Sequence, residues 1–179
     1  MVRVREMNEA DIDAVAALRV RGWRAAYAGL VPQDHLDGMS PAADAERRRA
    51  GFAPSRGSVW DLVAVDEGDV PVGWVCFGAY RGESDAAAPG EVYALYVEPA
   101  LVGQGVGRVL MDAVHRHPEV RRFATLQLWV LRDNVRARRF YAAAGYAVDG
   151  AVQSDLYGGT AVEEVRYRRP TDRQTAPGD

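Results

Sequence analysis

The stretch VEPALVGQGVGRVLMDAV (Val97–Val114) places glycines at positions 103, 105 and 107 and then runs straight into an apolar helical pattern. One residue with φ > 0 is enough for most tight turns. Three alternating glycines therefore predict a second demand, a bulky group lying against bare backbone. The start of a helix offers free N–H groups and the positive end of the macrodipole, which together bind phosphate. Two nucleotide signatures can be tested by spacing. A G-x-G-x-x-G/A fingerprint begun at Gly103 ends on Arg108, and one begun at Gly105 ends on Leu110, where helix–strand packing needs Gly or Ala. A P-loop needs Lys after its last glycine, and all 22 basic residues of this chain are Arg. Both fail. A ligand-free turn and a cradle for another phosphate-bearing ligand stay open on these residues alone.

Working outward, the chain of 179 residues is read as one domain over 1–170, followed by a polar, Pro-containing tail at 171–179 expected to be disordered. The formal net charge of −3 offers no basic face to nucleic acid or anionic lipid. No apolar run approaches a membrane span and no export signal is visible, which with a single cysteine implies a reducing, cytoplasmic setting. Cys76, inside WVCF, reads as a buried strand residue. No His pairs with Cys or acids at metal-ligand spacing, so no metal is expected, and His35, His115 and His117 read as surface residues.

Before the glycine loop come an alternating strand (2–6), a helix capped by Asn8 with Asp11, a break at Gly29 and Pro32, and a helix opened by Ser40 and Pro41. Two β-rich runs joined by EGD (67–69) form a hairpin, a small-residue loop spans 81–90, and EVYALYV (91–97) is a strand. After it come a helix closed by Pro118, a strongly apolar strand at 123–131, a helix closed by Gly145 and a final hairpin around YGGT (157–160). The order β-α-α-β-β-β-α-β-α-β-β describes a mixed α/β (α+β) domain with one sheet.

LYVEPALVGQGVGRVLMDAV, a following strand, and LRDNVRARRFYAAAGY together resemble the acetyl-CoA-binding half of the GNAT superfamily of N-acetyltransferases. The likeness is close over residues 91 to 147, and the first helices and last hairpin resemble the family's ends. It implies a fold whose central strands splay around acetyl-CoA, the cosubstrate. The pyrophosphate would lie on Val102, Gly103, Gln104, Gly105, Val106, Gly107 and Arg108. The pantetheine arm would hydrogen-bond the backbone near Leu95 and Val97, with Tyr96 or Val97 N–H stabilising the oxyanion. Val102 departs from the family's Arg or Gln, which implies weaker coenzyme A binding.

Asn134, Ala137 and Tyr141 share a helix face by spacing. On spacing alone Asn134 reads as a cap and Tyr141 as core with its hydroxyl satisfied, ahead of any site role. The resemblance places Asn134 beside the pantetheine and makes Tyr141 the acid that protonates the leaving thiolate. Strand alternation puts Glu91, Tyr93, Leu95 and Val97 on one face. Relatives carry an acid on this strand, so Glu91 is the expected general base, with Tyr93 on the same face the second candidate and a lining residue of the acceptor pocket. Trp23 and Tyr27, with Trp60, would wall the acceptor pocket. The expected activity is acetylation of a primary amine, small-molecule or peptide, in a ternary complex. A non-catalytic acyl-CoA sensor is the alternative, and a homodimer is common in the family.

Overall fold

The computed structural model describes residues 2–82 and 88–171, so residues 83–87 of the expected 81–90 loop and 172–179 of the expected tail lie outside the described residues. A single seven-stranded sheet runs through the molecule in the order β1-β2-β3-β4-β5-β7-β6. Its strands are β1 (Arg3–Glu6), β2 (Val59–Val65), β3 (Pro71–Ala79), β4 (Pro89–Val97), β5 (Thr125–Leu131), β6 (Ala147–Tyr157) and β7 (Thr160–Pro170). The helices are α1 (Ile12–Ala26), α2 (Gln33–Asp37), α3 (Pro41–Ser55), α4 (Val106–Arg116) and α5 (Val135–Ala143). Among the described residues, no helix is long and apolar enough to cross a membrane.

The start signals act where they stand. Asn8 accepts from Ala10 N and Asp11 accepts from Asn8 N, a reciprocal box that closes a 3-10 turn leading into α1. Ser40 caps α3 with Pro41 at its first position. The expected order lacks α2, because five residues are too few to show a helical period; buried Leu36 anchors it. The two sheet faces carry separate cores. Helices α4 and α5 cover one, with Val75, Phe77, Leu110, Met111 and Leu126 at its centre. Helices α1 and α3 cover the other, around Ile12, Val15, Leu18 and Val63. The histidines are half-buried, contrary to the surface positions expected. His115 hydrogen-bonds the Tyr146 hydroxyl at 3.1 Å, and His117 packs edge-on against Phe77.

Every strand pair is antiparallel except β4–β5, and that pair is short: Pro89, Gly90 and Glu91 pair with Thr125, Leu126 and Gln127. Beyond Glu91 the two strands part. Gly90 sits at the closed end, where a Cβ would lie 2.5 Å from the Phe123 ring and 2.9 Å from Leu126. Any side chain there must push the strands apart. Gly90→Ala is expected to lower stability by about 1–3 kcal/mol, read as a lower urea midpoint at unchanged slope.

A bulge in β4 overturns the expected face pattern. The register with β3 slips between Cys76, opposite Ala94, and Phe77, opposite Val92, leaving Tyr93 without a partner. One extra residue reverses the alternation beyond it. Tyr93, Ala94 and Tyr96 pack with the α1–α3 core, whereas Val92, Leu95 and Val97 pack with the α4–α5 core. Glu91 and Tyr93 therefore do not share a face with Leu95 and Val97.

Candidate active site

The opening between β4 and β5 forms a cleft of about 580 Å³, a size suited to a small molecule. One wall is the free edge of β4. Glu98 N donates to Val72 O at 2.9 Å on the β3 side. A strand's amides alternate in direction, so Leu95 and Val97 turn theirs toward the edge that β5 has left, while Tyr96 turns its own toward β3.

At the outer end, the turn before α4 holds Gly103 at φ 89° and Gly105 at φ 90°. Gly105 is the N-cap, its carbonyl accepts from Val109 N at 3.0 Å, and no side chain caps the first-turn N–H groups. Nothing lies within 4 Å of where a Cβ of Gly105 would stand. These donors, open space and the helix dipole fit a phosphate. Gly103, Gly105, Gly107, Arg108 and Val102 line the cleft. Gln104 and Val106 do not: the Gln104 amide donates to Ala100 O, and Val106 is buried in the core. Arg136, which carries no sequence signal of its own, also lines the cleft. Its Nη2 lies 3.9 Å from the Cβ position of Gly103, a cation beside the loop that lacks one at Val102.

Asn134, Ala137 and Tyr141 line the other wall beside Phe140 and Trp129. Asn134 Oδ1 accepts from Ala137 N at 3.1 Å, so the cap and the cleft position coexist. The Tyr141 hydroxyl makes no hydrogen bond to another described residue, and burial, then the nearby hydroxyls of Tyr27 and Tyr146, push its pKa above the ordinary phenol value.

At the inner end Tyr27 and Tyr96 bring their hydroxyls to 3.3 Å. Trp23 stands behind them, edge-on to Tyr27 at 4.7 Å and 5.6 Å from the Tyr157 ring, with its buried Nε1 unpartnered among the described residues. Trp60 lies elsewhere, stacked on Phe77.

Glu91 and Tyr93 lie outside the cleft lining. The Glu91 carboxylate accepts from Arg81 N and from its guanidinium at 2.9 Å, while Tyr93 donates to Ala79 O under the same guanidinium. Burial, then the Glu91 charge, pushes the Tyr93 hydroxyl up to about 12. The carboxylate that does line the cleft is Glu164 of β7, opposite Leu131 of β5. Sequence reading missed it. The pattern around it, TAVEEVRYRR, gives alternation, but only the folded hairpin shows what that face meets.

The acetyltransferase (GNAT) family model matches residues 23–146, more than half of the chain. The chain belongs to this family. Among curated proteins it is 30% identical over 170 residues to "probable N-acetyltransferase Rv2775" of Mycobacterium tuberculosis, covering 93% of this chain and 92% of that one. It is also 30% identical to the mycothiol acetyltransferase of Propionibacterium freudenreichii, covering 98% of this chain and 51% of that one. The fold matches the PaiA N-acetyltransferase of Thermoplasma acidophilum, solved with coenzyme A, at TM-score 0.77 and 16% identity over 95% of this chain and 99% of that one. YncA of Salmonella typhimurium, solved with acetyl-CoA, matches at TM-score 0.73 and 22% identity over 99% and 98%. As a GNAT N-acetyltransferase, the chain carries the family's mixed sheet with the opened β4–β5 pair.

Proposed function

We propose that the protein transfers the acetyl group of acetyl-CoA directly to a primary amine while both are bound. The observation that carries this is one continuous cleft joining the uncapped start of α4, the free edge of β4 and the Tyr141 hydroxyl. In this reading the first-turn amides of α4 and the Arg108 and Arg136 guanidinium groups hold the phosphates. The Leu95 and Val97 amides hold the pantetheine arm and the thioester oxygen as it gains charge. Tyr141 stays protonated at neutral pH, because burial raises its pKa, and gives its proton to the departing sulfur.

Direct attack is favoured because the described residues lining the cleft include no Ser, Cys or His to carry an acyl group. Cys76 is buried in β3, and burial followed by the Asp61 charge pushes its thiol well up, away from the nucleophilic thiolate. A cytoplasmic location follows from the cosubstrate and the free thiol. Thiol release from acetyl-CoA over a panel of primary amines tests the reading. Turnover with intersecting double-reciprocal lines is expected. Parallel lines would replace direct attack by an acyl-enzyme, and binding of acetyl-CoA with no turnover on any amine would favour a sensor.

A further inference from the structure

Resting on the amine-acetylation reading, we infer that Glu164 seats the acceptor as a primary ammonium on an apolar or aromatic body and removes its proton. The chain supplies a comparison. Besides Glu164, three acids are buried among the described residues, and each is held by Arg: Asp11 by Arg5 at 2.7 Å, Asp44 by Arg19 at 2.9 Å and Glu91 by Arg81 at 2.9 Å. Glu164 is also buried, at 9% exposure against 4–5% for the other three, yet accepts only from two neutral donors, Gln153 Nε2 at 2.7 Å and the Tyr157 hydroxyl at 3.0 Å. Among the described residues it has no ion pair, in a chain with 22 basic residues. A buried carboxylate is normally paired. The missing cation is one that arrives with the substrate.

The surroundings fit that cation. Glu164 lines the cleft together with the rings of Tyr27, Tyr96 and Trp129, and the rings of Trp23, His35 and Tyr157 pack behind Tyr27 at centroid separations of 5.6 to 5.9 Å. Ring faces and a carboxylate together select an ammonium over a neutral group. Arg19, whose guanidinium lies over the Trp23 ring, is committed to Asp44. Gln153 and Tyr157 fix both carboxylate oxygens, so the group is oriented before the substrate enters.

The proton count closes. The ammonium gives one proton to Glu164, the freed nitrogen lone pair attacks the acetyl carbon, and a C–N bond forms. Collapse breaks the C–S bond, with the electron pair leaving on sulfur, which takes the Tyr141 proton. The second nitrogen proton restores Tyr141, and Glu164 releases its proton to solvent. The products are the acetamide and free coenzyme A thiol.

The probes are phenethylamine, which can be acetylated, phenethyltrimethylammonium, which carries the charge but no transferable proton, and phenethyl alcohol, which carries no charge. Calorimetry with coenzyme A bound should show the quaternary cation binding at least tenfold tighter than the alcohol. Glu164→Gln, which keeps the volume and a hydrogen-bonding end, should abolish that preference. The same change should lower kcat/KM for phenethylamine about 10²-fold or more, leaving acetyl-CoA affinity and thermal midpoint unchanged. Glu164→Asp should recover part of both. A cation preference that survives Glu164→Gln, or equal binding of cation and alcohol by the wild type, overturns the seat. If the cation binds through Glu164 but no amine is acetylated, the seat stands, while proton removal by Glu164 and the amine-transfer reading fall together.

Discussion

Tyr141→Phe is expected to lower kcat by about 10²- to 10⁴-fold, the usual contribution of a positioned general acid, with acetyl-CoA affinity almost unchanged. The substitution deletes one oxygen, which makes no hydrogen bond to another described residue, so the fold loses little. The ring keeps its edge contact with Phe140 at 5.2 Å and with Tyr146 at 6.2 Å. What disappears is the proton that the proposed mechanism gives to the leaving sulfur. Because burial raises the Tyr141 pKa above an ordinary phenol near 10, the wild-type hydroxyl is protonated throughout the neutral range. The pH–rate profile of Tyr141→Phe below about pH 9 should therefore keep its shape and lose only height. An unchanged kcat would remove Tyr141 as the acid, and a changed limb near neutrality would show that it titrates there.

The proposed cofactor end is legible in the sequence because its signals are local. Glycine spacing, an N-cap and a face repeated every two turns are properties of neighbours in sequence, and the chain from Val97 to Gly145 keeps them in register with the family pattern. The acceptor end depends on contacts between remote segments. Glu164 meets the cleft only because β7 lies beside β5, with α2 and Trp23 behind it. The bulge at Tyr93 is the other hidden term. Alternation assigns Glu91, Tyr93, Leu95 and Val97 to one face, and a single unpaired residue divides them between two. An acid on β4 was thus expected to face the acceptor, whereas Glu91 turned out to be committed to Arg81.

The departure at Val102 acquires a physical counterpart. The loop lacks the family's polar side chain there, yet Arg108 and Arg136 both reach the cleft beside it. In the proposed reading, a guanidinium supplied from α5 would act on the same phosphates from the opposite wall. In that reading the phosphate seat also depends on the backbone amides staying where they are, and therefore on the two glycines at positive φ.

Gly105→Val tests that dependence. A β-branched residue at φ 90° is a backbone outlier, costing roughly 1–2 kcal/mol if the conformation is held. If the peptide turns over instead, the first-turn amides lose their aim. In both cases the new side chain stands in the open space above the turn, where the proposed mechanism seats the phosphate. The dissociation constant for acetyl-CoA is expected to rise at least about tenfold, equivalent to about 1.4 kcal/mol, with kcat at saturation little affected. Gly150→Val supplies the control, since Gly150 has the same φ of 90° and the same empty surroundings but lies on β6 away from the cleft. Both variants should melt lower, and only Gly105→Val should weaken acetyl-CoA. Equal loss of affinity in the two would mean that general destabilisation, and not the phosphate seat, is being measured. No loss in either would remove this turn from cofactor binding.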